Sequence, residues 1–530
     1  MQERAGILPS FAAARLDRRV LLGHFAALAA VPTLGRRAAR GGARQHFDSD
    51  PYTMGVASGD PTYSGVVLWT RLAPAPFEPG YGMPNTSVDV HWEVAEDDQM
   101  RRVVASGCER ATPQLGHSVH AEVEGLAPDR WYWYRFRAGD TLSPIGRTRT
   151  LPARDAAPPR LHFAVTTCQN WEQGLYTAYE RMLRDAPDLV FHLGDYIYEY
   201  EAGRNGKVRT HHGAEIQTLD DYRRRYAQYR SDPLLQAMHA ACPWFVTWDD
   251  HEFDNNYADL VSEELAVDPS AFLERRQNAY QAYYEMMPLR RASLPRGPHL
   301  QLYRKASFGR LAELFVLDTR QYRSDQPNGD RASPLNAEAL DPRRTLLGAE
   351  QRAWLKRGLI ESQATWNVLA QQVMMAMVGR SFLEDGTALH SMDQWPGYTH
   401  ERMGLLRFLE QRRVPNPVVL TGDIHNNWCN ELRVDDRRHD APVIATELVA
   451  TSLSSGGNGR DLAKNHDELL AKNPCVRFHN QQRGYLRCEV TERAWTTDFV
   501  VVDKVTEPGG KASTRAAFVI EAGDPRVHAG

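Results

Sequence analysis

The sequence predicts an α/β protein, a layered β-sandwich flanked by helices and preceded by a small all-β domain of immunoglobulin or fibronectin type. Three observations carry that reading. An early stretch holds short apolar runs of period two, a later stretch alternates apolar runs with helical patterns, and six of the later runs stop abruptly on ligand-type residues. Period two marks half-buried antiparallel strands, whereas strands alternating with helices mark a layered sheet.

The N-terminus reads as an export leader. Arg18-Arg19 precedes Val20-Leu21-Leu22 and the small apolar stretch Phe25–Val31, a charged start with a modest apolar core that indicates the twin-arginine (Tat) route and its export machinery. The expected location is therefore periplasmic, cell-surface or secreted. The run is far below the ~20 residues that span a bilayer, so no stable membrane span is expected. The expected division is a leader over 1–44, a β-sandwich over 45–150 and a second, larger domain over 151–530.

Within the first domain, strands are expected at Gly65–Thr70, Val88–Val94, His120–Val123 and Trp131–Phe136. The aromatic alternation of Trp131–Phe136 suits a core strand with one wet face, or a carbohydrate platform. Leu151–Pro159, rich in proline and alanine, reads as a linker. Beyond it, helices are expected near Tyr176–Asp185, Asp220–Tyr229, Phe272–Met287, Ala349–Ser362 and Arg402–Gln411. Asp325–Arg344 and Thr451–Gly459 read as plain surface loops, with a lid role as the alternative.

Composition narrows the function. The formal net charge of −4 over 530 residues lacks the basic excess of a nucleic-acid-binding protein. Six cysteines, at 108, 168, 242, 429, 475 and 488, are too sparse for a disulfide-built scaffold. Cys475 with Cys488 is the pair to test for a bridge.

The chemistry sits at strand ends. The runs are Leu161–Cys168, Leu189–Asp195, Phe245–Asp250, Leu314–Asp318, Trp366–Gln371 and Val418–Asp423. Ligands bind at the carboxyl ends of strands in open α/β sheets, which would gather Cys168, Asp195, Tyr198, Asp249, Asp250, His251, Asp423 and His425 along one edge. Such a set is costly to bury without a cation. Asp195 and Tyr198 put a carboxylate and a phenol on one turn, and a phenolate is a hard donor suited to ferric iron. Trp248–Asn256, with Asp249, Asp250, His251, Glu252, Asp254, Asn255 and Asn256, forms the densest polar cluster. His251 suits either metal ligation or protonation of a leaving oxygen. Gly422-Asp423-x-His425 repeats the strand-Gly-Asp design of Gly194-Asp195. Cys168 suits a thiolate ligand, a small buried apolar residue or a nucleophile, the last being the basis of a thiol-hydrolase alternative.

Together these motifs resemble the PhoD-like alkaline phosphatases (alkaline phosphatase D) of the calcineurin-like metallophosphatase superfamily. MGVASGDP at 54–61 with VVLWTRL at 66–72 is similar to the opening of the family's N-terminal β-domain. TTCQNW, HLGDYIYEY, TWDDHEFDNNYA, LDTRQYR and TGDIHNNW follow in the family's order. The resemblance implies a metallophosphatase-type sandwich over 151–530 that hydrolyses phosphate mono- or diesters with hydroxide generated at Fe(3+) and Ca(2+). It implies that Asp195 bridges the metals, that Cys168, Tyr198 and His425 complete the iron side, and that Asp250 and Asp423 hold calcium with Asn255 or Asn256. His251 would protonate the leaving group, and Arg320 or Arg323 would clamp phosphate oxygens or else pair at the surface, with Asn256 also near substrate. Asn426-Asn427 stands where relatives often carry small hydroxyl residues, which bears on substrate preference. Alternatives are a phospholipase D-like phosphodiesterase of the same family and a non-catalytic, calcium-binding surface protein.

Overall fold

The computed structural model describes residues 46–264 and 266–530; the expected leader over 1–44 lies outside the described residues. Two antiparallel layers open the chain. One joins Val103–Ala111, Val88–Ala95 and Trp131–Ala138, with Gly146–Arg149 beyond. The other joins Val56–Gly59, Gly65–Arg71 and Ser118–Glu124. Val66, Leu68, Val90, Val123, Tyr134 and Phe136 fill the space between. Trp131–Ala138 is thus a core strand. It offers no carbohydrate platform at Trp131, because the Arg147 guanidinium lies 3.5 Å from that ring's centroid.

This sandwich runs into the next one, since Gly59 pairs in parallel with Trp244. From there the first large sheet continues through three parallel strands, Trp244–Thr247, Leu189–Leu193 and Leu161–Thr166. Antiparallel strands Val476–Val490, Ala494–Val502, Ala512–Glu521 and Asp524–Ala529 complete it. The second large sheet runs Arg304–Phe308, Ala312–Val316, Trp366–Ala370, Pro417–Thr421, Ala445–Val449 and Asn427–Leu432. Strand Val476–Val490 serves both: its start pairs with Asn427–Leu432 and its end with Leu161–Thr166.

The inner faces meet through Phe163, Phe191 and Phe245 on one side and Leu314, Val368 and Leu420 on the other. Burial on both faces explains why these parallel strands read as continuous apolar runs. Helices Thr177–Asp185, Leu219–Arg230 and Pro269–Met286 cover one outer face through a tyrosine-rich core. Helices Gly348–Glu361 and Thr399–Arg412 cover the other. These five lie within a few residues of the expected positions. A further helix, Pro233–Ala241, starts on an Asp232 cap with proline in its first turn, a start signal passed over in the sequence.

Two expectations fail. Cys475 and Cys488 are free buried thiols rather than a bridge, because each is taken into a different apolar cluster. Thr451–Gly459 is no plain surface loop either: Thr451 through Ser455 are fully buried. Among the described residues, no helix is long and apolar enough to cross a membrane.

Candidate metal centre

Three of the strands that feed the site, Leu161–Thr166, Leu189–Leu193 and Pro417–Thr421, end in a sharp change of direction. Cys168, Asp195, Asp423 and His425 adopt φ of 55°, 57°, 63° and 55°, a left-handed conformation uncommon for residues other than glycine. The turns aim four ligand-type side chains at one edge. Gly194 is required there: its φ is 101°, and a Cβ would lie 2.5 Å from the Asp249 Cβ. The bare backbone lets the 249–252 segment press against the 194–195 turn. Glu252 then fastens the two, accepting the N–H groups of Asp195 (3.1 Å), Tyr196 (2.5 Å) and Asp249 (2.9 Å).

Three groups of ligand atoms lie within 4.8 Å of one another: Cys168, Asp195 and His425; Asp195, Asp250 and His251; and Asp249, Asp250 and Asp423. Asp195 belongs to the first two and Asp250 to the last two, so the groups form a chain joined by carboxylates. Tyr198 joins the first. Its hydroxyl donates to Asp195 Oδ2 at 2.8 Å and lies 3.2 Å from His425 Nε2. The cluster opens to solvent through the His425 side chain, which is 36 % exposed, while Asp195 is buried.

The residues fit cations. Asp195 Oδ1, Asp249 Oδ2 and Asp250 Oδ1 are buried without a hydrogen-bond partner, and buried carboxylate oxygens rarely go unmatched. From the protein's own charges, burial raises Asp250, and burial together with Asp393 pushes Asp423 up to about 7. Asp195 behaves oppositely. Burial works against its charge, but His251, His425 and Tyr198 outweigh burial and hold it down to about 2. Burial also opposes charge on His251, yet Glu199, Asp195 and Asp250 keep its imidazole protonated well above the usual range. Glu199 Oε2 lies 2.8 Å from His251 Nδ1 and so orients the ring.

Arg320 and Arg323 reach the site but present no clamp to a substrate, and neither pairs at the surface. Both are buried. Arg320 pairs with Asp249, and its terminal nitrogens lie 2.7 and 2.9 Å from the Asp393 oxygens. Arg323 Nη1 reaches Asp393 Oδ1 at 2.6 Å. Both guanidiniums neutralise carboxylates. The amide N–H of Asn255 donates to Glu199 Oε1 (3.1 Å), and that of Asn256 donates to Asp250 Oδ2 (2.8 Å). Asn256 Nδ2 donates to Asp330 Oδ2 at 2.6 Å, which ties the Asp325–Arg344 segment to the site's margin.

Sequence reasoning missed Glu199, Asp393, Gln394 and Ser455, and gave Glu252 no role of its own. Glu199 and Glu252 stand inside the noted motifs, one residue after Tyr198 and His251, and nearness to those residues was the available signal. Asp393 and Gln394 sit in an isolated stretch that carries none; Gln394 donates to Asp423 Oδ2. A cleft of about 720 Å³ lined by Asp60, Phe245, Arg304 and Arg310 lies elsewhere, and no ligand-type residue of the centre borders it.

Comparison with known proteins agrees with this geometry. Residues 163–499 match the model of the PhoD-like phosphatase family, and residues 37–152 match that of the PhoD-like phosphatase N-terminal domain. The chain is 51% identical to alkaline phosphatase D of Bacillus subtilis over 483 residues, covering 90% of this chain and 82% of that protein. It also matches a solved structure of PhoD with a TM-score of 0.89 and 50% identity, over 92% of this chain and 93% of that one.

Proposed function

The chain belongs to the PhoD-like phosphatase family, and from that premise we infer that it is an exported phosphatase and phosphodiesterase working at an iron–calcium centre. One observation carries the reading: two buried carboxylates, Asp195 and Asp250, link three ligand groups into a chain at one sheet edge. Cys168, Tyr198 and His425 with Asp195 would hold Fe(3+), a hard ion matched to carboxylate, phenolate and imidazole donors. Asp250 and Asp423, with Asn255 or Asn256, would hold Ca(2+), which seeks oxygen ligands. Bound cations acidify water for attack on phosphorus and neutralise charge on the phosphoryl oxygens.

The chain's own groups do the rest. Asp195 is held toward its ionised form because His251, His425 and Tyr198 outweigh its burial. His251, held charged and oriented by Glu199, supplies a proton to the leaving oxygen through Nε2. Arg320 offsets the negative charge of Asp249, Asp250, Asp393 and Asp423 and so lets the carboxylates stay together. Cys168 suits a ligand better than a nucleophile. Burial, then Asp195, pushes its thiol well above the usual range, whereas an activated thiol needs the reverse. The Arg18-Arg19 leader supports Tat export.

The test is a metal count on protein purified from the exported fraction, followed by hydrolysis of p-nitrophenyl phosphate and bis-p-nitrophenyl phosphate. Iron, calcium and turnover of both esters are expected. Calcium alone without turnover would overturn the proposal in favour of a binding protein.

A further inference from the structure

The loop that the sequence presents as flexible and polar closes behind Tyr198. Ser455 is fully buried, and its hydroxyl oxygen meets three groups. Tyr198 Oη lies 2.7 Å away, the Cys168 carbonyl lies 2.8 Å away, and the Asn170 N–H donates to it at 3.1 Å. The loop itself is pinned by Arg483, which donates to Ser452 Oγ and to the Ser455 carbonyl. Ser452 Oγ also donates to the Ser455 carbonyl at 2.7 Å, and none of these bonds involves Tyr198.

A serine hydroxyl carries one proton. Since Asn170 supplies the hydrogen bond that Ser455 accepts, that proton has two destinations, the Tyr198 oxygen or the Cys168 carbonyl. A tyrosine that ligates a ferric ion does so as phenolate, and a phenolate is a stronger acceptor than an amide carbonyl. We infer that Ser455 is a positioning residue for Tyr198, giving its hydrogen bond to the phenolate oxygen and thereby setting how tightly the iron-side ligands hold their ion. The inference rests on the assignment of iron to Cys168, Asp195, Tyr198 and His425. Partners of this kind orient ligands and tune their basicity. Here one side chain touches two of those residues, the tyrosine through its oxygen and the cysteine through its backbone.

The test compares wild type with S455A, S455T and S452A for bound iron, chelator competition and the visible tyrosinate-to-iron charge-transfer band. A hydrogen bond draws electron density from the phenolate, so its removal raises the donor level and narrows the transition. The S455A band is expected at longer wavelength, with iron held about tenfold less tightly. The S455T band should stay at the wild-type position because the hydroxyl remains. The S452A band should stay there too, because Ser452 braces the loop without touching Tyr198. An unmoved S455A band with unchanged iron affinity would overturn the inference, as would an S452A shift equal to that of S455A. Should S455A fail to fold, resonance Raman of the wild-type tyrosinate C–O stretch in H2O and D2O decides: an isotope shift is expected, and its absence overturns the inference. Wild-type protein without iron sinks the iron assignment as well, whereas an iron-loaded wild type with an insensitive S455A sinks the Ser455 role alone.

Discussion

Asp195 and Asp423 follow the same strand-Gly-Asp pattern, one at the end of Leu189–Leu193 in the first large sheet and the other at the end of Pro417–Thr421 in the second. Their surroundings reverse their electrostatics. Asp195 faces His251, His425 and Tyr198 and sits at about 2. Asp423, buried beside Asp393, Asp250 and Asp195 with Arg320 as its cationic neighbour, sits at about 7. One copy of the motif is balanced by the protein and the other calls for an added positive charge. A motif therefore names a candidate, and the neighbours decide what it does.

Replacing each carboxylate by its amide is the most forceful way to break the comparison. Asp195→Asn should lose both cations and lower phosphodiester hydrolysis by about 10³-fold or more, measured as metal content and turnover on one sample. Asp423→Asn should lose calcium and keep iron. After chelation, the two variants should diverge in thermal melts at pH 8, Asp423→Asn above wild type and Asp195→Asn below it. Equal effects would mean that the turns are equivalent after all.

His251→Ala sharpens the contrast from the protein side. It should keep metal and lose about 10²- to 10⁴-fold in turnover. Glu199→Gln should show a smaller loss in the same direction. A fully active His251→Ala enzyme would remove the proton-donor role.

The glycines should differ as well. An alanine at 194 would take a positive φ and meet the Asp249 Cβ at 2.5 Å, costing about 3 kcal/mol or more. At 422 no positive φ is involved, but the new Cβ would meet Thr167 Oγ1 at 2.6 Å and Thr167 Cβ at 3.0 Å, a buried side chain that donates to the Gly194 carbonyl at 3.1 Å, at a smaller cost of about 1–3 kcal/mol. Denaturant melts of the two variants test the ranking.

The smallest effect concerns pH. Asp423, at about 7 against an ordinary 3.8, and Glu252, at about 8 against 4.5, bind protons more readily folded than unfolded. Asp330, at about 7, adds to them. Above about pH 6.5, where the burial-lowered histidines no longer differ between the two states, the unfolded chain is thus the less protonated one, and stability of cation-stripped protein should fall as pH rises from about 6.5 to 8. Histidines lowered by burial, among them His120, His192, His211, His239 and His425, work the other way, but only below their ordinary 6.5. Calcium and iron should flatten the melting profile, and a stripped protein whose melting temperature rises from about pH 6.5 to 8 would contradict the charge pattern.

Much of this was legible in the sequence, for physical reasons. Buried parallel strands must be apolar along their length, so an abrupt Asp, Cys or His at the end stands out. That signal led to Cys168, Asp195, Asp250 and Asp423, and amphipathic spacing led to the main helices. What escaped notice depends on tertiary packing. Thr451–Ser455 is rich in serine like any exposed loop, and its burial comes from Arg483 and Cys168, distant in the chain. Arg320 and Arg323 suggested substrate contact because nothing local reveals Asp393, the carboxylate that occupies both.

Strand Val476–Val490 has a consequence for how the molecule is made. It pairs with a strand of each large sheet, so neither layer can close until residues 476–490 have been made. A slip of one residue in its register would turn every inward side chain outward in both layers at once. A truncation just ahead of this strand should leave a bare edge on both layers and yield insoluble protein rather than a smaller working enzyme.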